Sequence, residues 1–264
     1  MNLSEYKIGI AGYGMVGSAV HSYFKKSVIY DKYKKLGSAD ELSLSDIIFI
    51  CVPTPYDKRR GGFVLEEVED VFQILIGEKI VVIKSTVLPG TTDSLQKKYP
   101  QHKVLFNPEF LTESTAKEDF NFPDKQIVGF TEKSKDIASE ILKILPRAPF
   151  EKIIPAVTAE LVKYAINSYY ALKVAFANQI YDLCQKLGVD YKEFKECFVA
   201  DKRIKNSHLE IFHKNYRGYG GKCLRKDIRS LIQKGEELGV DLRLLKAAEE
   251  INNILNPEKE NDTI

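Results

Sequence analysis

The ten residues IGIAGYGMVG, Ile8 to Gly17, decide how the first half of the chain is read. A short apolar run leads directly into Gly12, Gly14 and Gly17, spaced as G-x-G-x-x-G, and the residues after them have helical potential. Each glycine answers a different steric demand where a strand turns into a helix over a ligand. The first permits a tight turn, the second lets backbone approach a pyrophosphate, and the third lets the helix pack on the strand. The spacing by itself is weak, but its context holds. The next β-rich run, SVIYD, ends in Asp31, where a carboxylate accepts hydrogen bonds from an adenosine ribose. Its charge repels a 2′-phosphate, which favours NAD over NADP, although Lys32, Lys34 and Lys35 follow closely.

Outward from this turn, β-rich runs recur through residue 155: YKIGIAG, SVIYD, DIIFICV, KIVVIKS, KVLFNP, QIVGF and KIIP. Segments with helical potential, such as Met15–Lys25 and Ser134–Leu145, separate most of them. Near-continuous apolar strands alternating with helices predict a parallel sheet covered on both faces, a doubly wound α/β domain. The connection between Asp31 and Ser45 is short and polar, so the helix after the second strand is expected to shrink to a turn. CVPTP leaves the third strand where a cofactor runs, with Cys51 expected in the core and Thr54 facing the cofactor. KSTVLPGT leaves the fourth and offers the Ser85 and Thr86 hydroxyls at the same sheet edge.

After Pro155 the pattern changes. From Val157 to Leu187 there is neither glycine nor proline, and apolar residues recur at helical spacing from Leu161 to Leu183. The stripe is widened by Val162, Ile166, Tyr170 and Val174, so this long helix has to pack on more than one side. Gly188 ends it, and further helices are predicted at Tyr191–Val199, Lys226–Leu238 and Leu242–Leu255. The expected organisation is a doubly wound Rossmann-type domain over 1–155, a long central helix with a small all-helical domain over 156–256, and a frayed, disordered tail over 257–264.

Composition narrows the function. A net charge of +2 with dispersed lysines supplies no basic field for nucleic acid, and 44% hydrophobic content excludes a disordered chain. Cys51, Cys184, Cys197 and Cys223 form no CxxC pair and no metal-like spacing, which suits reduced thiols in a cytoplasmic protein without a metal. No signal-peptide flanks and no apolar stretch of about 18 residues are present, so a membrane partner is not expected. One thiol stands apart. In GYGGKCLRKD, Gly218 to Asp227, Cys223 lies between small residues that allow close backbone approach and lysines that favour its thiolate, as in a nucleophile on a ligand-facing loop. A glycine turn with an incidental cysteine is the bland alternative.

Five segments in order, GYGMVG, CVPTP with KSTVLPGT, NPEFLTESTAKEDF, ELVKYAINSYYALKVAFANQI and GYGGKCLRKD, resemble the UDP-glucose/GDP-mannose dehydrogenase family over nearly the whole chain. The resemblance implies four-electron oxidation of the C6 alcohol of a nucleotide sugar to the uronic acid with two NAD. UDP-glucose is the default substrate, with GDP-mannose and UDP-N-acetylmannosamine as variants. It makes Cys223 the nucleophile that holds an aldehyde as a thiohemiacetal and then as a thioester. It gives Lys163 and Asn167, one helical turn apart, the stabilisation of an oxyanion. Glu109 matches the base of thioester hydrolysis, Asp227 an aspartate that orients water or the lysine, and Thr86 a hydroxyl that positions water.

The cofactor contacts it implies are Gly12, Tyr13, Gly14, Met15, Val16, Gly17, Asp31, Val52, Pro53, Thr54, Ser85, Thr86 and Glu113, the last being equally readable as a charge at a helix start. Those to the substrate are Glu109, Phe110, Leu111, Lys163, Asn167, Arg203, Tyr216, Gly220, Gly221 and Cys223, Arg203 reaching a partner protomer's site in a homodimer. Departures stand beside the match. Lys222 and Arg225 replace a small residue and a proline of the family loop, and the chain stops where the family continues into a second nucleotide-type domain, as expected for a fragment or a natural short form. Two competing readings are a two-electron β-hydroxyacid-type dehydrogenase, which needs no cysteine, and a non-catalytic NAD-binding remnant.

Overall fold

The structure is a computed structural model and describes residues 6–213, 215–220 and 223–257. The elements follow in chain order: β1 (Ile8–Ala11), α1 (Met15–Tyr23), β2 (Val28–Tyr30), α2 (Ala39–Ser43), β3 (Ile47–Ile50), β4 (Tyr56–Asp57), β5 (Gly62–Phe63), α3 (Glu66–Ile74), β6 (Ile80–Ile83), α4 (Thr91–Lys98), β7 (Lys103–Phe106), α5 (Ala116–Asn121), β8 (Lys125–Phe130), α6 (Ala138–Ile144), β9 (Phe150–Pro155), α7 (Ala156–Leu187), α8 (Tyr191–Val199), β10 (Phe212–His213), β11 (Tyr216–Arg217), α9 (Leu224–Glu237) and α10 (Arg243–Leu255). They form two compact units, Met1–Thr54 with Phe63–Lys163, and Pro55–Gly62 with Tyr164–Ile264.

The first unit is built on one seven-stranded sheet, in the order β2-β1-β3-β6-β7-β8-β9. Alternation along each strand explains its two-sided core. Ile48 and Ile50 of β3 join Val81 and Ile83 of β6 and Val68 and Phe72 of α3 on one face. Ile47 and Phe49 point the other way, with Val82, Leu105, Ala19 and Val20. All seven expected strands form, and β2, β1, β3, β6 and β7 are parallel. The parallel expectation fails at β8, which runs antiparallel to β7, while β9 is parallel to β8. The only helix in the β7–β8 link is the six-residue α5, about 9 Å long, too short to return the chain to the other sheet edge. The polar stretch after β2 folds as the five-residue α2, closed by a capping box between Ser38 and Glu41. Because β1 lies between β2 and β3, the sheet has its switch point at the carboxyl ends of β1 and β3, where doubly wound sheets take ligands.

The second unit is helical, with the small antiparallel pair β10–β11 added. Ala171, Val174 and Ala175 of α7 pack with Tyr219, Ile228 of α9 and Ala248 of α10, and Ala177 packs with Leu209 and Ile211. The long helix runs one residue beyond its expected start, and Gly188, at φ 68°, turns the chain out of it. The helix expected from Lys226 begins at Leu224, which places Cys223 at the N-cap. Residues 258–264 of the expected tail lie outside the described residues.

Candidate active site

The glycine turn has the geometry its spacing demands. Gly12 adopts φ 90°, and a Cβ there would sit 2.6 Å from the Cys51 carbonyl oxygen. A Cβ on Gly17 would lie 1.9 Å from the Gly12 carbonyl oxygen, so the crossing of α1 over β1 requires glycine. At Gly14 a Cβ would meet nothing within 4 Å, which leaves open space over the start of α1. Asp31 closes the turn. Its Oδ2 accepts from the Tyr13 N–H at 2.7 Å, and its Oδ1 from those of Tyr33 and Lys34 at 3.0 and 2.9 Å. Partial burial pushes the carboxyl up, but these three N–H groups and the Lys34 ammonium hold it below the usual carboxylate range. A cavity of about 210 Å3 opens here, lined by Gly12, Asp31, Val52 and Pro53 among others. Turn, cavity and ionised acceptor fit the ribose-diphosphate part of a dinucleotide.

The loops after β3 and β6 are tied to each other. Thr54 Oγ1 donates to the Thr86 carbonyl at 2.7 Å, and Ser85 Oγ donates to that of Val52 at 2.6 Å. Both hydroxyl protons therefore hold the loops together, leaving lone pairs for any cofactor. Beneath them lies a charged layer that the sequence reading missed. Lys84 is 2% exposed and donates to Asn107 Oδ1 at 2.6 Å, while Asn107 in turn donates to the Ile127 carbonyl. Burial brings the Lys84 ammonium down to about 8 and pushes the neighbouring Cys51 thiol up to about 12, so Cys51 is an inert core thiol, as expected.

Lys84 and Asn107 fix the end of β7, from which Glu109 follows. Its Oε1 pairs with Lys163 Nζ at 2.8 Å, and its Oε2 accepts from the Leu111 N–H at 2.8 Å. Burial opposes ionisation of Glu109, but Lys163, the Leu111 N–H and Lys84 together hold it below its ordinary range. The Phe110 ring lies under Lys125 and Lys163, whose Nζ atoms are 4.0 and 5.5 Å from its centroid. Glu113 is exposed. One turn before Lys163 stands a second missed residue, Glu160. It is fully buried and accepts from the Gly90 and Thr92 N–H groups and the Thr92 hydroxyl, anchoring this end of α7 to the start of α4. The sequence signal for both residues was a lone charge in an apolar run, IVVIKS and TAELV.

In the second unit, Cys223 is exposed at the N-cap of α9. One turn on, Asp227 is 1% exposed, accepting from Asn167 Nδ2 at 2.5 Å and pairing with Lys226 Nζ at 2.6 Å. The glycine loop is held from behind. Asn252 of α10 accepts from the Tyr219 N–H at 2.7 Å and donates to its carbonyl at 2.9 Å, and a Cβ on Gly218 would strike Asn252 Oδ1. A Cβ on Gly220 would meet the Tyr216 hydroxyl at 2.8 Å. Arg225 is buried and donates to the Asn256 carbonyl, whereas Arg203 is exposed and pairs with Asp201. Gly221 and Lys222 lie outside the described residues.

Comparison with known proteins matches both halves of the chain. The NAD binding domain of the UDP-glucose/GDP-mannose dehydrogenase family matches residues 19–145, and the central domain of that family matches residues 157–254. A solved UDP-glucose dehydrogenase from Pyrobaculum islandicum superposes with a TM-score of 0.82 at 30% identity, over 94% of this chain and 68% of its own. The chain belongs to the UDP-glucose/GDP-mannose dehydrogenase family. It is 36% identical over 235 residues to the UDP-glucose 6-dehydrogenase of Rickettsia conorii, covering 85% of this chain and 53% of that protein. It is 34% identical over 219 residues to the GDP-mannose 6-dehydrogenase of Pseudomonas aeruginosa, covering 76% and 49%. The chain thus spans about half the length of the curated relatives it matches. Its first unit is an NAD-binding domain, and among the described residues no helix is long and apolar enough to cross a membrane.

Proposed function

We propose that the chain carries the oxidative half of a nucleotide-sugar 6-dehydrogenase, taking UDP-glucose or a related sugar nucleotide to its uronate in two NAD-dependent steps. The observation that carries this reading is Cys223, exposed at the N-cap of α9, with the Asn167–Asp227–Lys226 network one turn on. NAD, when bound, accepts one hydride in each step. The C6 alcohol first loses a hydride and a proton to become an aldehyde. The Cys223 sulfur then adds to the aldehyde carbon, and its proton passes to the oxygen, giving a thiohemiacetal. Loss of a second hydride, with the hydroxyl proton, leaves a thioester. Water adds, the carbon–sulfur bond breaks, and carboxylate and free thiol are released.

Each polar group takes the role that the family resemblance implies. The Lys163 ammonium and the Asn167 amide stabilise developing negative charge on the C6 oxygen. Glu109, ionised, takes the proton of the attacking water, and Thr86 orients that water. Asp227 fixes the Asn167 amide by accepting its N–H. Tyr169, Phe176 and Leu183, seven residues apart on α7, are all exposed, and we assign this stripe to a homodimer. Cysteines outside any disulfide and the NAD chemistry fit the cytoplasm.

The test is stoichiometric. With UDP-glucose and NAD+, the chain should yield two NADH per sugar, and Cys223→Ser should cut uronate release by about 10^3-fold or more while leaving NAD+ binding intact. One NADH per sugar, or full activity in Cys223→Ser, would replace the covalent route by a two-electron dehydrogenase. Sedimentation as a monomer would remove the dimer.

A further inference from the structure

The cavity beside the glycine turn has a charged wall that the family resemblance did not point to. Gly12, Asp31 and Lys32 line one side, and Glu67 and Asp70 of α3 line the other. Lys32 directly follows the ribose carboxylate, where an ammonium would be in reach of a 2′-phosphate. It is instead held between two acids, with Nζ 2.8 Å from Glu67 Oε2 and 2.8 Å from Asp70 Oδ2. These acids stand three residues apart on α3 and so share one face. Glu67 is itself fixed, since the Tyr33 hydroxyl donates to its Oε1. Their hydrogen bonds raise the Lys32 ammonium above its ordinary range, which keeps it charged and committed to them. The next lysine is also engaged: Lys34 Nζ donates to the Tyr13 carbonyl at 2.6 Å and lies over the Tyr13 ring. With Asp31, three carboxylates face one ammonium at this end of the cavity.

We infer that Glu67 and Asp70 are specificity-determining residues of the dinucleotide site, which exclude a 2′-phosphate by holding Lys32 between them. Asp31 alone would leave the adjacent lysine free to compensate its charge. The α3 pair removes that compensation, so a phosphate at the 2′ position meets the Asp31 carboxylate without a counter-ion. The inference rests on the cofactor half of the reading above and is independent of the sugar.

The experiment is calorimetric titration of the chain with NAD+ and with NADP+, no sugar nucleotide being present. In the double variant Glu67→Gln, Asp70→Asn, the NADP+ Kd should fall by about 10-fold or more, with the NAD+ Kd within about threefold of the parent. Adding Lys32→Ala to that variant should cancel the gain. A folded double variant with parental NAD+ binding and no gain for NADP+ overturns the inference, as does a gain that survives Lys32→Ala. If the parent chain binds neither dinucleotide, the cofactor reading falls and this inference with it. Should the double variant fail to fold, Asp70→Asn alone, at a half-exposed side chain, carries the same test with an expected gain of about threefold.

Discussion

The glycine-turn end of the sheet and the Cys223 loop are fixed in different ways. At the sheet edge, position comes from strands: β1, β3, β6 and β7 are buried on both faces, and short hydrogen bonds between their loops finish the shape. The cysteine loop has no such frame. Asn252 of α10 holds its Tyr219, and Asn167 of α7 with the adjacent Lys226 holds Asp227 in the first turn of α9. The first arrangement buries both partners of its ion pair, whereas the second leaves one partner of its network partly open to water.

Removing one charge from each region tests that contrast most sharply. Lys163→Met leaves the buried Glu109 carboxylate without its cation and should cost about 3–5 kcal/mol in denaturant unfolding. The pH dependence should also change sign. With Lys163 present, Glu109 titrates below its unfolded value, so its stabilisation is present above about pH 4.5 and is lost as pH falls. Without it, burial raises the carboxyl, and stability should instead fall as pH rises. Asp227→Asn should cost less, about 1–3 kcal/mol, because Lys226 keeps some access to water. Equal losses at the two sites would erase the distinction drawn here.

A pair of glycine substitutions separates shape from binding within the sheet edge. Gly17→Ala drives a methyl into the Gly12 carbonyl and should lower stability by about 1–3 kcal/mol. Gly14→Ala meets no protein atom and should leave the melting temperature nearly unchanged, while weakening NAD+ binding by about 10-fold. A Gly14→Ala protein that binds NAD+ normally would show that the diphosphate does not cross this residue.

The smallest expected effect lies at Glu160. Burial raises its carboxyl to about 7 despite three donors, so the folded chain keeps a proton that the unfolded chain releases near pH 4.5. Its contribution is complete below that pH and is lost as pH rises towards 7. Melting temperature should therefore decline by a few degrees across this window, and Glu160→Gln should flatten the decline. Parallel slopes for the two proteins would exclude Glu160 as its source.

Strands and the glycine turn were legible in the sequence because their signals are local: two-sided apolar runs, and three glycines with one acid at the expected distance. The long helix was legible from uninterrupted periodicity, to within one residue of its start. The reversal at β8 was not, since strand direction depends on how far a six-residue helix can carry the chain, and periodicity is blind to that. Glu160, Lys84, Glu67 and Asp70 were missed for a related reason. Each is an ordinary charge in sequence, and each acquires meaning only from a partner 20 or more positions away. Cys223 was flagged by its neighbours and given its role by the family resemblance, but the network beside it joins residues 60 positions apart.

The clasp between Asn252 and Tyr219 has a consequence for synthesis. Thirty-three positions separate the two, so a growing chain that has already made Cys223 cannot yet hold the Tyr219 backbone before it. Only when α10 leaves the ribosome and folds back does Asn252 reach the Tyr219 backbone. The thiol is thus made early and the backbone before it is clasped late, and a transcript cut short before Asn252 would yield a chain in which Tyr219 lacks that partner.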